Sequence, residues 1–466
     1  METGINTQDN IFLRGSLGLL YAKVATPIIL VMLTNGLFTV VDGYFVGEFV
    51  GADAFSAVTM VFPLFMMVIA LGTLVSSGYA SVLARLLGAG RREDSEKAVV
   101  SALALSAVIC LSLITLFALF GTSVINGIAN GSQPLARMGY TYISITIWFS
   151  FLFFILALIS DSFRCQGMIG SLTIISLLST LLNILFNYIL VVEFQMGVAG
   201  TAYGTVMAQA LAILGALVYI YSREDSLKFR LRHITACLGR WGEYLLLGIT
   251  PSLSYVGVSV ISASIIFQLQ VWNGDTYETS MAAYGIVTRL MTFGYMPLLG
   301  LTLAQQSIVG NNFGAGQWDR TLRSLRLSLL LSGTYCILLQ LVFLILPGPI
   351  ADIFVDDAAV ILETARILPP VTLTYFLFGP LLMLPGFFQA IGDAGRAGLL
   401  GLTKIYFITL PLILGLPAVM GEMGSWYATP VADLVALGLT AVVLGLLTRR
   451  SGDWTRFLQT RAALQT

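Results

Sequence analysis

The chain has 466 residues, 57% of them hydrophobic and only 10% charged, with a mean hydropathy of +0.89. Soluble domains carry about 25% charged residues, so a soluble fold is excluded: it would have almost no polar surface to present to water. Lys+Arg and Asp+Glu balance at 24 each, which leaves no basic excess for a nucleic-acid partner.

The first ten residues, METGINTQDN, are polar and lack a basic region followed by a short apolar core, so no cleavable signal peptide is expected. Apolar runs of spanning length, about 20 residues for a hydrocarbon core of about 30 Å, then recur along the chain. They fall at 17–46, 54–83, 97–120, 138–163, 170–192, 198–221, 242–271, 280–305, 321–346, 367–390, 398–420 and 425–447. Such long continuous runs predict helices and exclude a membrane barrel of short alternating strands.

The loops alternate in charge. Arg14, Arg85, Arg91, Arg92, Lys97, Arg164, the 6–7 loop (Arg223, Lys228, Arg230, Arg232, Arg240), Arg320, Arg323, Arg326, Arg396, Lys404 and Arg449 all fall on one side of a twelve-span count. Glu48, Asp53, Glu193, Asp275, Glu278, Asp352 and Glu422 fall on the other, with Arg137 and Arg366 as strays. By the positive-inside rule the basic side is cytoplasmic. The expected localisation is therefore the cell's inner membrane, with both termini in the cytoplasm.

The chain repeats itself. SVLARLLGAGRREDSEKAV after span 2 parallels SIVGNNFGAGQWDRTLRSL after span 8, with Gly88-Ala89-Gly90 and Gly314-Ala315-Gly316 offset by 226 residues. FRCQGMIG at 163–170 parallels FQAIGDAG at 388–395 with an offset of 225. The expected architecture is an all-α membrane protein of twelve transmembrane helices in two six-helix lobes, 1–221 and 241–466, joined by a cytoplasmic linker, 222–240. Repeats of this kind build the two rocking halves of secondary transporters.

The order and spacing of VDGYFVGEFVGADAFSAV (41–58), SFRCQGMIG (162–170), NILFNYILV (183–191), GVAGTAYGTVMAQ (197–209) and QQSIVGNNFGAGQWDR (305–320) resemble the multidrug and toxic compound extrusion (MATE) family, its prokaryotic branch above all. The resemblance covers nearly the whole chain. It implies two lobes related by a pseudo-two-fold axis and forming a V, and export of drugs or metabolites by antiport against H⁺ or Na⁺.

Charges inside a bilayer are costly and are functional by default. Asp42, within TVVDGYFVG of the first span, is the leading acid. Uptake of H⁺ or Na⁺ would remove its charge and bias one lobe conformation over another, and the resemblance aligns the family's first-helix acid here. Asn183 and Asn187 share one face of the fifth span by their i,i+4 spacing, and Thr205 on the sixth matches a threonine of the family's ion cluster. Spans 5 and 6 meet near 192–198, which puts all three at the depth of Asp42. Na⁺ is a candidate ion for Asp42, Asn183, Asn187 and Thr205. The sodium-linked branch, however, has an aspartate where this chain has Asn187, so no metal site is assigned.

Asp161 and Arg164, three residues apart, read first as a local ion pair and second as another proton carrier. Arg289 and Asp433 lie at similar depth in the second half and read as a pair, since buried charges generally need partners. Tyr44, Met66, Tyr255, Tyr284 and Met291 are candidates for the cargo cavity by position, with adaptable, aromatic-rich surfaces suited to flat cations. Pro27 supplies a hinge in the first span.

The remaining signals exclude function classes. Cys110, Cys165, Cys237 and Cys336 are scattered singly and the one histidine, His233, sits in the basic loop, so neither zinc nor a disulfide framework is supported. No GxxxxGK[ST] motif is present to bind ATP. An integral-membrane enzyme would need a polar cluster or soluble domain that the chain lacks. The expectation is a monomeric antiporter without cofactor, embedded in the lipid bilayer, that exports small amphipathic or cationic molecules. A flippase for a lipid-linked substrate is the alternative.

Overall fold

The computed structural model describes residues 10–129, 132–223, 226–228, 238–272 and 276–463. His233, Cys237 and Asp275 lie outside them. Helix follows helix because nearly every residue that faces lipid must satisfy its backbone internally, and the described residues contain no strand. In chain order α1 (Leu17–Phe45) runs into a π-helical turn, Val46–Val50, followed by α2 (Ala52–Gly88), α3 (Arg92–Ile128), α4 (Gln133–Trp148) and α5 (Ser150–Gln166). Next come α6 (Ile169–Asn187), with a π-helical end at Tyr188–Glu193, and α7 (Val198–Ser222). The second half has α8 (Trp241–Trp272), α9 (Tyr277–Gly314), α10 (Trp318–Ile345), the short α11 (Pro347–Asp352), α12 (Ala358–Thr372) and α13 (Tyr375–Ala390). It ends with α14 (Ala394–Leu402), a π-helical stretch Thr403–Thr409, α15 (Leu410–Gly415), α16 (Pro417–Met420), α17 (Met423–Ser451) and α18 (Trp454–Ala463).

Ten helices among the described residues are long and apolar enough to cross a membrane, and two bent pairs bring the number to twelve. The bends, of 48° each, separate α4 from α5 and α12 from α13. They fall at Phe149 and at Leu373–Thr374, equivalent positions of the repeat. Neither is visible as a gap in the hydropathy. The second coincides with Pro369 and Pro370 inside α12, while the first has no proline to announce it.

The duplication is structural throughout. Gly167 closes α5 and Gly392 follows α13 with φ of 78° and 80°, a left-handed turn that glycine adopts without strain. In both, the residue after the glycine bonds back to the helix: Met168 N–H to Phe163 C=O at 2.9 Å and Asp393 N–H to Phe388 C=O at 2.7 Å.

The chain forms two compact units, one of Thr26–Ser252 with the residues up to Arg14, the other of Gly15–Ala25 with Leu253–Thr466. The division therefore departs from halves at 1–221 and 241–466 in one respect: each half lends the start of its first helix to the other unit. In the first unit the beginning of α8 is held by Trp241 Nε1–H on Ser101 C=O (3.1 Å), by Tyr244 OH near Ala98 C=O (3.4 Å) and by an Arg85–Glu243 ion pair at 2.8 Å. In the second unit the beginning of α1 is held by Tyr21 OH on Ser324 Oγ at 2.9 Å and by Arg320 on Gly15 C=O at 2.8 Å. Both exchanges end beside a proline, Pro27 in α1 and Pro251 in α8. A proline there removes one ladder hydrogen bond.

Candidate functional site

The first unit assembles its polar residues on α1, α6 and α7. Those helices approach closely because α7 presents Gly200 and Gly204, spaced by four. A Cβ on Gly200 would lie 3.1 Å from the backbone of Leu190, and one on Gly204 only 2.2 Å from Asn187 Oδ1. The closeness lets short amides on α6 reach both neighbours.

The result is a directional chain of hydrogen bonds. Thr205 Oγ1 donates to Thr201 C=O at 3.2 Å, and Asn183 Nδ2 donates to Thr205 Oγ1 at 2.8 Å. Asn187 Nδ2 donates twice, to Asn183 Oδ1 at 3.0 Å and to Asp42 Oδ1 at 2.9 Å. Both amide hydrogens of Asn187 are thus spent, which fixes the orientation of its amide. Its carbonyl oxygen remains buried with no hydrogen-bond partner. Asn183 and Asn187 are 3% and 0% exposed. The structure therefore brings Asp42, Asn183, Asn187 and Thr205 into one cluster that presents a carboxylate and an unsatisfied amide oxygen.

The other first-unit pair stands apart. Arg164 donates to Asp161 Oδ1 at 2.7 Å, with side-chain exposures of 2% and 16%. This geometry neutralises both groups at the end of α5.

In the second unit the expected Arg289–Asp433 pair does not form. Asp433 is held instead by Lys404 Nζ at 2.6 Å and by Thr374 Oγ1–H at 2.7 Å, and the ammonium sits 5.1 Å from the centre of the Phe378 ring. Depth alone suggested the wrong partner; helix adjacency decides it, since α17 packs against the π-helical stretch that carries Lys404. Lys404 is accordingly not a loop charge beside Arg396 but lies inside the helical run that begins with α14. Arg289 is exposed on α9.

The cavity candidates divide by helix face. Tyr284 is 7% exposed, packs with Trp426, Ile367 and Leu368 in the apolar core, and shares a 3.1 Å hydrogen bond with Ser262. Met291 packs against the same core. Tyr284 is thus corrected from open surface to packing, because 284 and 287 lie on the helix face opposite 285, 289 and 292, while Met291 is half-buried. Tyr44 is 59% exposed, and Met66 and Tyr255 are half-buried. Sequence reasoning passed over Gly204, Thr201, Thr374 and Lys404. The Gly200–Gly204 spacing was a readable signal for the first two, and nothing in the sequence singled out the others.

Up to twelve spans in two repeats, with buried polar clusters around the intramembrane acids Asp42 and Asp433, are the build of an internally duplicated membrane transporter. The profile of the MatE family matches residues 27–189 and 255–412, one segment in each repeat, and the chain belongs to this family. The multidrug export protein MepA of Staphylococcus aureus is 24% identical over 93% of this chain and 95% of its own length. The probable multidrug resistance protein YoeA of Bacillus subtilis is 22% identical over 88% and 90%. A solved outward-facing multidrug resistance MATE family transporter superposes with a TM-score of 0.85 at 20% identity over the full length of both chains. The protein is a transporter and not an enzyme, and these relatives do not favour the flippase alternative.

Proposed function

We propose that the protein is a secondary antiporter of the inner membrane that exports small amphipathic molecules in exchange for H⁺, with Asp42 as the coupling acid. The observation that carries this reading is the hydrogen-bond chain that ends on Asp42. Asn187 has committed both its hydrogens and its carbonyl is buried against Gly204, so the group left for an incoming cation is the Asp42 carboxylate. A proton on Asp42 removes the charge that holds the Asn187 amide, loosening α1 from α6. Pro27, at the point where α1 passes from one compact unit to the other, lets the outer part of the helix respond without unfolding the anchored start. Gradient energy then becomes a difference in stability between two lobe conformations. Na⁺ is the alternative ion, and the oxygens of Asp42, Asn183, Asn187 and Thr205 would supply its ligands, a hard-oxygen set of the kind that alkali and alkaline-earth ions take.

The test is uptake of a fluorescent organic cation into proteoliposomes under an imposed pH or Na⁺ gradient, in the wild type and in Asp42→Asn. Transport that follows one gradient and disappears in the variant supports the reading and names the ion. Undiminished gradient-driven transport in Asp42→Asn moves the coupling elsewhere. The proposed orientation, with the basic loops and both termini in the cytoplasm, is checked by labelling single cysteines from either side, and the proposed single-chain working unit by the mass of the detergent-solubilised protein.

A further inference from the structure

Three ionisable side chains lie deep in the second unit, and two of them cancel. A polar network marks one membrane surface of that unit: Ser280 donates to Glu363 at 3.0 Å, and Arg366 bonds both Glu363 and Glu422 at 2.7 Å. From this network Asp433 lies about 16 Å along α17 and Arg289 about 14 Å along α9, at about 1.5 Å per residue. Both are near the middle of a hydrocarbon core of about 30 Å. Lys404 occupies Asp433, whose side chain is 3% exposed. Arg289 is left: among the described residues its guanidinium has no hydrogen bond or ion pair, and it is exposed.

A permanently charged, unpartnered group at that depth is too costly to face acyl chains, so its face of α9 must border water. The face is built for access. One turn away stands Gly285, where an added Cβ would meet nothing within 4 Å. On the other side Thr292 is exposed and Phe293 is 45% exposed, offering a hydroxyl and an aromatic surface beside the charge. The opposite face of the same helix is packed into the apolar core through Tyr284 and Val287. A planar fork of donors next to open space and an aromatic ring fits a carboxylate borne on an aromatic body.

We propose that Arg289 binds an anionic group of the transported molecule, so that the preferred cargo is an amphipathic aromatic carrying a carboxylate, a zwitterion rather than a simple cation. This rests on the export reading above but on residues of the other unit. The same chemistry would suit a lipid phosphate, and the experiment separates the two.

The full-length protein in phosphatidylcholine nanodiscs is titrated with rhodamine B, which has a free carboxylate, and with its ethyl ester, read by fluorescence anisotropy. The wild type is expected to bind the acid more tightly. Arg289→Gln is expected to weaken the acid roughly tenfold to a hundredfold, the range for one charge-assisted hydrogen-bonded contact, and to leave the ester unchanged. Arg289→Lys keeps the charge, should hold an intermediate preference, and carries the test if the glutamine variant does not fold. Equal binding of acid and ester, or equal loss of both in Arg289→Gln, overturns the proposal. Loss of the acid preference when phosphatidylglycerol is added to the discs overturns the cargo assignment in favour of a lipid headgroup. Because binding is read without a gradient, a protein that prefers the acid through Arg289 but moves nothing would sink the export reading while keeping Arg289 as the site of an aromatic carboxylate.

Discussion

The two repeats put different chemistry at one place in the same scaffold. In the first unit Asp42 on α1 accepts from Asn187 on α6 at 2.9 Å. The repeat offset of 226 carries Asp42 onto Gln268, and the offset of 225 found beside α6 carries Asn187 onto Leu412, next to Ile413. There Gln268 Nε2 donates to the carbonyls of Ile413 and Leu414 at 3.2 and 3.1 Å. The geometric relationship, first helix to fifth, is kept; the ionisable group is not. One copy holds a carboxylate that can take up a cation, and the other holds a neutral amide that serves the backbone. Duplication supplies the frame, and the proposed ion coupling rests on one side of it.

The largest effect expected concerns the charges that the second unit does keep. Lys404 and Asp433 are a buried pair, and removing one partner strands the other. Asp433→Leu should destabilise the protein by about 3–5 kcal/mol, read as a fall in melting temperature of the purified protein in detergent. Lys404→Met with Asp433→Leu should recover most of that loss, since two apolar groups replace two charges. If the double variant is no more stable than the single one, the pair is more than a structural neutralisation, and the view that ion coupling is confined to the first unit is blunted.

Next is Asp42→Asn. The substitution keeps the size and a hydrogen-bonding end but cannot lose and regain a charge. Gradient-driven transport in proteoliposomes should fall by roughly 100-fold, equivalent to about 2.7 kcal/mol, while melting temperature stays the same or rises because a charge is gone from an apolar setting. A fall in both together would point to a structural role for Asp42 and remove the contrast with Gln268.

Gly204→Ala sharpens the comparison from the packing side. The new methyl would sit 2.2 Å from Asn187 Oδ1, so α7 must back away or the amide must turn. A cost of about 1–3 kcal/mol is expected from overpacking, with a larger proportional loss of coupled transport than of thermal stability. Gly438 in α17 has open space around it, so Gly438→Ala in the second unit should be silent in both assays.

Much of this contrast was readable in the sequence. All twelve spans stand as apolar runs, because an uncharged stretch of about 20 apolar residues is stable in a bilayer and too long for the core helix of a soluble domain. Asp42, Asn183 and Asn187 stand out because polar groups on apolar helices need partners, and the i,i+4 spacing aligned two of them, whereas Thr205 was reached only through the family resemblance. The partners of charges in the second half were not readable. Arg289 and Asp433 match in depth, but depth is one coordinate, and which helices lie side by side is another. Lys404 was mistaken for a loop residue because a basic cluster at Arg396 precedes it closely, and hydropathy cannot place a single lysine along a helix end. Tyr284 was misplaced because its side of the helix was not weighed.

The smallest effect belongs to Gln268, and its smallness is what the comparison requires. Pro417 has no N–H, so the carbonyl of Ile413 loses the donor that a residue four positions later would give it in a continuous helix. Gln268 Nε2 fills that vacancy and reaches Leu414 as well. The role is therefore backbone satisfaction at the break between α15 and α16, not ion handling. Gln268→Leu should cost about 1 kcal/mol, the net worth of a typical buried hydrogen bond, read as a small drop in melting temperature. The ratio of transport with and without a gradient should stay at its wild-type value, because no charge has been touched. Were that ratio to collapse as it is expected to in Asp42→Asn, the two repeats would both be coupling elements, and the asymmetry drawn between them would be one of residue type alone.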